Sequence, residues 1–336
     1  MDDSDGSALR QPKKRKTPAA TFGQRLEYGL VRGVGFILAR VPVGVASAMI
    51  GGLLWLVMPL TSRHKRALEN LAFALPDMSV RERKAIARGM WMHLGRVAGE
   101  AFQIETLTKD PSRLELPADF DRFTALSANG VIGATPHLGN WEIAAVLSRA
   151  GGLKLAGVYQ ALHNPLVEEH LRAMRLPAYP GGLFSKGPEL GHTLLSLARN
   201  GYGIGIVADF REMRGVGVMF FGHPAFATPL PAMLARASGR PLIAGAVVRT
   251  GGTRFRALME EITVPHTSSR EDDIAVAIQS LHTVFERWIR QYPEQWMWTH
   301  RKWARSRRRE LTVRDVSFPA ALPAETPGSN GTVKRP

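Results

Sequence analysis

The chain has 336 residues, with 44 Lys and Arg against 29 Asp and Glu, a formal net charge of +15 and no cysteine. Its 45% hydrophobic content can fill the core of one large domain or two small ones, which excludes a wholly disordered chain, a collagen-like repeat and a disulfide scaffold. The lack of cysteine also excludes a Cys nucleophile, a thiolate metal site and a thiol redox switch.

Residues 1–28 hold six Lys/Arg and four Asp/Glu, with a cluster at Lys13-Lys14-Arg15-Lys16, and are expected to form a disordered basic arm. Residues 306–336 are expected to be a second basic, Pro-rich tail, opening with Arg307-Arg308-Arg309. Residues 1–28 carry +2 and residues 301–336 carry +6, which leaves a formal +7 on residues 29–300, a surface suited to an anionic partner. From Val41 to Thr61 no residue is charged. That run is long enough to span a bilayer, but Pro42, Gly51, Gly52 and Pro59 interrupt it, and basic residues flank both ends: Arg32 and Arg40 before, Arg63, Lys65 and Arg66 after. Symmetric flanks favour a segment lying in one leaflet over a span, so residues 29–62 are expected to associate with a membrane; a buried soluble helix is the plainer alternative.

From residue 63 to 106 the periodicity is helical, with Ala67, Leu68, Leu71, Ala72 and Leu75 on one stripe and Asp77 or Ser79 as the next cap, Glu82 standing three residues after Ser79. The pattern then alternates. Strands are expected at 131–135, 155–159, 204–207, 241–249 and 255–262, and helices at 141–149, 166–174, 190–199, 232–237 and 274–292. Strands separated by helices predict an α/β domain over 63–305, with a mainly parallel sheet flanked by helices.

The chain has no nucleophile elbow, phosphate-binding loop or zinc helix pair. One constellation stands out, His137-Leu138-Gly139-Asn140-Trp141-Glu142. The offset from His to Glu is weak by itself, since chance alone predicts about one such pair here and the chain has four. His64/Glu69, His163/Glu168 and His266/Glu271 lie in surface-like contexts. His137 instead leaves a strand end, sits beside a glycine turn and precedes a helix that Asn140 can cap. Glu142 falls in that helix's first turn, where the dipole favours a carboxylate. A loop His backed by an acid is the arrangement of a general base, with a structural turn histidine as the alternative. Asp209, ending the run Ile204–Ala208, is equally open to a site or a turn role. Trp296, Trp298 and Trp303 with Arg301 and Lys302 make an aromatic–basic patch that suits a membrane interface or, more ordinarily, core packing.

These residues carry a resemblance. The block at 137–142 is similar to the active-site block of the bacterial lipid A biosynthesis acyltransferases, the late lauroyl/myristoyl enzymes of the wider lysophospholipid acyltransferase superfamily. The likeness continues in order through Asn164-Pro165-Leu166 with Arg175, Asp209 followed by Phe220-Phe221-Gly222, Leu234-Ala235-Arg236, Val247-Val248-Arg249, and the ending Pro293-Glu294-Gln295-Trp296-Met297-Trp298-Thr299-His300-Arg301-Lys302-Trp303. The resemblance implies acyl transfer from acyl carrier protein to a hydroxyl of an anionic glycolipid, a lipid A precursor, at the cytoplasmic face of the bacterial inner membrane, with no metal or other cofactor and no nucleic-acid partner. It implies His137 as base with Glu142 orienting the imidazole, and Arg175, Asp209, Asn164 and Asn140 binding substrate. A related acyltransferase acting on a different glycolipid or lipid acceptor is the nearer rival; an inactive, basic membrane-binding homologue is the further one.

Overall fold

A computed structural model describes residues 20–303 of the chain; the basic clusters at 13–16 and 307–309 lie outside the described residues. Helix α1 (Phe22–Leu38) opens on a capping box, in which the Thr21 hydroxyl accepts from Gln24 N and the Gln24 side chain accepts from Thr21 N. Residues 22–28, expected as the end of the basic arm, are therefore helical. The apolar side of α1 faces outward: Phe22, Leu26, Leu30 and Ile37 are exposed, and only Gly35 and Leu38 are buried.

The uncharged run becomes α2 (Val43–Val57) and a 3-10 turn over Met58–Leu60. The stretch Val43–Leu60 is long and apolar enough to cross a membrane by length and composition. Its small residues face the protein instead. Ala46, Ser47 and Gly51 are buried against α4 (Val80–Ala101), and Ser47 donates to Glu100 at 2.7 Å, while Met49, Leu53 and Leu56 point outward. The neighbour is glycine for a steric reason: a Cβ on Gly95 would run into the Ile50 carbonyl, and one on Gly99 would come within 2.7 Å of Ala46 O. Helix α3 (Ser62–Ala74) lies between them in sequence and buries Ala67, Leu71 and Ala74; Ala72 of the expected stripe is exposed. Ser79 caps α4 with the expected Glu82 partnership. A short α5 (Ile104–Thr108) follows.

The rest alternates. In order come β1 (Leu114–Glu115), α6 (Phe120–Ser127), β2 (Ile132–Thr135), α7 (Trp141–Ala150), β3 (Leu155–Tyr159), α8 (Pro165–Arg175), β4 (Gly182–Ser185), α9 (Leu190–Arg199), β5 (Gly203–Val207), β6 (Val216–Phe220), β7 (His223–Ala227), α10 (Leu230–Ser238), β8 (Leu242–Gly251), β9 (Arg254–Ile262) and α11 (Arg270–Gln291). Seven strands form one sheet in the order β1-β9-β8-β2-β5-β3-β4, parallel except between β8 and β9. The expected mainly parallel α/β sheet is what the chain forms. The expectation missed β1, β4 and the separate β6–β7 hairpin. That hairpin turns through Phe221 and Gly222, both at positive φ, a conformation usually marked by Asn-Gly. Phe221 tolerates it because its N–H donates to Glu286, Arg290 lies over its ring and the side chain packs on Trp298.

The two faces of the central strands differ. Ile132, Ala134, Ile204, Ile206, Leu242 and Ala244 join Ala232 and Leu234 of α10 and Leu281 and Phe285 of α11 in the main core. The residues between them, Gly133, Thr135, Gly205, Val207, Ile243 and Gly245, line a cavity of about 380 Å³ beneath α6 and α7. Helix α7, which follows β2, and helix α10, which follows the neighbouring strand β5 after the β6–β7 hairpin, thus pack on opposite faces, and a crevice opens at those strands' carboxyl ends.

The α2–α4 contact yields a stability prediction. Alanine in place of a mid-helix glycine normally adds about 0.5–1 kcal/mol. Gly95→Ala is expected to reverse that sign and cost ~1–3 kcal/mol, as overpacking does, measured by chemical denaturation in detergent with the exposed helical substitution Gly33→Ala as the control that keeps the ordinary sign.

Candidate active site

The centre of the crevice follows from strand register. Thr135 of β2 lies opposite Val207 of β5. Two residues past each strand end, His137 and Asp209 therefore meet, although 72 positions separate them. His137 Nδ1 is 2.7 Å from Asp209 Oδ1, and His137 N–H donates to Asp209 Oδ2 at 2.8 Å. Trp296 Nε1–H donates to the same Oδ2 at 2.8 Å. Asp209 is fully buried and His137 is 8% exposed. Burial pushes the Asp209 carboxyl up, but the charge of His137 and the N–H donors outweigh it and hold the group well below the usual carboxylate range.

The loop bearing His137 is fixed from every side. Gly139 has φ +64 and passes so close to Val247 O that any side chain would collide with it. Asn140 N donates to Val247 O at 2.7 Å, Gly139 N to Gln295 O at 3.1 Å, and Met297 N to His137 O at 3.2 Å. His93 of α4 holds Gly139 O at 3.0 Å; burial, reinforced by the charge of Arg249, pushes this imidazole down to about 3. Beneath lies a buried polar cluster. Glu100 accepts from Ser47, from Asn140 Nδ2 at 2.8 Å and from both terminal nitrogens of Arg249, at 2.7 and 2.8 Å.

The expected site residues divide accordingly. Asp209, expected to bind substrate, is the acid on His137. Glu142, expected to orient His137, forms a two-bond pair with Arg175 instead, Nη2 to Oε1 at 2.6 Å and Nε to Oε2 at 3.2 Å. The correction has a local cause: in the first turn of α7 the Glu142 side chain points along the flank of the helix, beside Tyr179 and the end of α8. Arg175, with a side chain 39% exposed, remains at the surface of this pair. Asn140 caps α7, accepting from Glu142 N at 3.2 Å, and spends its N–H₂ on Glu100. Asn164 caps α8 and donates to Gln24 O and Glu27 of α1. Both amides are committed to the protein itself.

Sequence reasoning missed Glu100, His93 and His300, and took Trp296 for an interface or core residue. Trp296, Trp298 and Trp303 are all buried, which favours core packing over a membrane patch. Of the other His/Glu pairs, His163 and His266 are exposed as expected, whereas His64 accepts a hydrogen bond from Trp91 Nε1 at 3.1 Å. His137, Asp209 and His300 each bring one potential metal-ligand atom within 4.8 Å of the others. Both Asp209 oxygens already accept N–H donors, so the chemistry of the set is that of a hydrogen-bonded base and its acid. The imidazole is oriented by Nδ1, which leaves Nε2 to take a proton. The cavity is lined by Thr135 and Val207, each two residues before a member of this pair, and by Trp141, whose ring lies 5.1 Å from that of His137.

The family model described as bacterial lipid A biosynthesis acyltransferase matches residues 18–305. No curated protein matches the chain.

Asp209→Asn keeps the shape but offers an N–H₂ or a neutral oxygen where His137 needs a carboxylate. A fall in turnover of ~10²–10⁴ is expected, with the fold retained by circular dichroism. The depressed Asp209 carboxyl also contributes stability that is present above the ordinary carboxyl pKa of about 4 and is lost as pH falls through the lower folded value. Acid unfolding of the Asn variant should accordingly show a shallower loss below about pH 4 than wild type.

Proposed function

The chain belongs to the bacterial lipid A biosynthesis acyltransferases, and from that premise we propose that it moves a fatty acyl chain from acyl carrier protein to a hydroxyl of a lipid A precursor, in a late step at the cytoplasmic face of the inner membrane. The observation that carries this reading is an apolar cavity ending beside an oriented histidine base. The acyl chain occupies the cavity and its thioester sits at the mouth. His137 Nε2 takes the proton of the acceptor hydroxyl, whose oxygen attacks the thioester carbon. As the tetrahedral intermediate collapses, the C–S bond breaks and the imidazolium returns the proton to the departing thiolate. Asp209 holds the tautomer and stabilises the imidazolium.

Three glycines favour a chain-binding role for the cavity. Gly133, Gly205 and Gly245 lie in strands at ordinary φ, and an added Cβ at any of them would meet nothing closer than 3.6 Å. Neither backbone strain nor close packing calls for glycine there, and the missing side chains leave room along the sheet. The outer surface supports membrane contact. Phe22, Leu26 and Leu30 of α1 and Met49, Leu53 and Leu56 of α2 are exposed together with Arg25, Arg32, Arg40 and Arg63. Apolar residues with a basic rim suit the headgroup boundary of an anionic leaflet. The central positive charge suits acyl carrier protein, an acidic donor. Arg175, half-exposed on Glu142, suits an anionic acceptor.

The test is acyl transfer in detergent from a panel of acyl-loaded carrier proteins to a tetra-acylated lipid A precursor. Wild type should give product, and His137→Ala should give ~10²–10⁴ less. No product from folded wild type overturns the acceptor assignment in favour of another glycolipid. In the same panel, Gly205→Val should lower kcat/KM for the longest accepted donor by about tenfold or more relative to shorter ones, because methylene-sized changes in an apolar pocket discriminate on that scale. An unchanged chain preference would remove the acyl chain from this cavity.

A further inference from the structure

His300 is the one ring against His137 whose chemistry the mechanism above leaves unused. It arises from the segment after α11, where Asn70 of α3 donates its amide to both Trp298 O and His300 O, each at 2.7 Å, and His300 N donates to Met297 O at 3.3 Å. That clamp sets the ring 4.7 Å from His137 and 4.4 Å from Phe210, between centroids. The residue is 9% exposed, and its Nε2 is buried with no hydrogen-bond partner. Buried polar atoms are nearly always satisfied in native proteins, so an orphan beside a base is a group awaiting a ligand atom.

We infer that His300 is a catalytic residue, a neutral N–H donor to the oxygen of the thioester carbonyl as it becomes an oxyanion. Burial pushes its imidazole down to about 3, so at neutral pH the ring is uncharged and keeps a single N–H, which serves as the hydrogen-bond donor. A neutral donor suits this position: a second imidazolium beside His137 would oppose the charge that His137 acquires when it takes the hydroxyl proton. No proton leaves His300 during the step. The hydroxyl proton goes to His137 and then to the thiolate, while the His300 N–H bond shortens its contact to the carbonyl oxygen as negative charge develops, and relaxes when the C–S bond breaks. Such donors act on the transition state more than on the bound substrate. The inference rests on the acyl-transfer reading above.

The experiment compares wild type, His300→Phe and His300→Gln. Phe keeps the edge-to-face ring contact with Phe210 and removes the donor; Gln restores an N–H near the position of Nε2. Phe is expected to lower kcat by ~10²–10³ with KM for the acyl donor changed little, and Gln to recover a large part of the loss. A long-chain alkylphosphonate, which carries tetrahedral oxyanion geometry, should bind wild type ~10²-fold more tightly than the Phe variant, whereas the matching unreactive amide should bind both alike. Phe variant turnover within about threefold of wild type, or equal phosphonate binding by the two, overturns the role. A purely structural role would instead weaken amide and phosphonate together and would not be rescued by Gln. Absence of turnover in wild type with the lipid A precursor counts against the acceptor, and the phosphonate-to-amide ratio then still decides the place of His300.

Discussion

A carboxylate without access to water stays ionised only where donors replace the lost solvent, and Asp209 has three of them: His137 Nδ1, His137 N and Trp296 Nε1. Those donors come from the loop after β2 and from the segment after α11, while the acid lies two residues past β5. One buried anion therefore fixes the relative position of three parts of the chain that are far apart in sequence. Desolvation makes each of these bonds strong and makes any loss among them costly, which is how the His137 ring is held in one orientation.

A second buried carboxylate repeats the device one layer down. Glu100 links Ser47 of the apolar helix α2, Asn140 of the site loop and Arg249 of β8. Gln295 then clasps the Arg249 backbone, accepting from its N–H at 2.7 Å and donating to its carbonyl at 2.8 Å. Removing one partner from such a buried set leaves an uncompensated charge, a loss of about 3–5 kcal/mol in comparable pairs. The consequence for function is mechanical. Helix α2, whose outer face is apolar, is bonded through one carboxylate to the residue that caps α7 beside His137. The apolar outer face of α2 and the loop that carries His137 belong to one hydrogen-bonded unit.

Much of this was legible in the sequence because apolar runs bounded by Gly, Asn and Pro mark strands and helices directly. That is how β2, β3, β5, α7 and α9 are found, and why the loop at His137 stands out. The partner of His137 was not legible. Spacing along the chain singles out Glu142, five positions on, but only strand order places Asp209 there, since β5 enters the sheet next to β2 after two intervening strands. Once Thr135 is opposite Val207, the pairing of His137 with Asp209 needs nothing further. The hairpin over 216–227 was hidden for a different reason. Its turn uses Phe221 where Asn is usual, and tertiary contacts, not local preference, stabilise it. In α1 the exposed apolar face, read against water, gave no packing signal at all.

The cavity explains what the alternation of the central strands is for. In a parallel sheet covered on both faces, strands ordinarily carry large apolar residues on each side. Here one face does so, with Ile132, Ile204 and Leu242 in the main core, and the other substitutes Gly133, Gly205 and Gly245. Giving up that packing weakens the sheet on the cavity side, since a strand glycine buries nothing and gains no side-chain contacts. The opposite face, where α10 and α11 pack densely, is what lets the chain tolerate the loss. The same strands that carry the void end at His137 and Asp209, so the length of the empty face and the position of the base are set by one register. A change that shifts β5 against β2 would move both together, which ties the shape of the cavity to the His137–Asp209 pair.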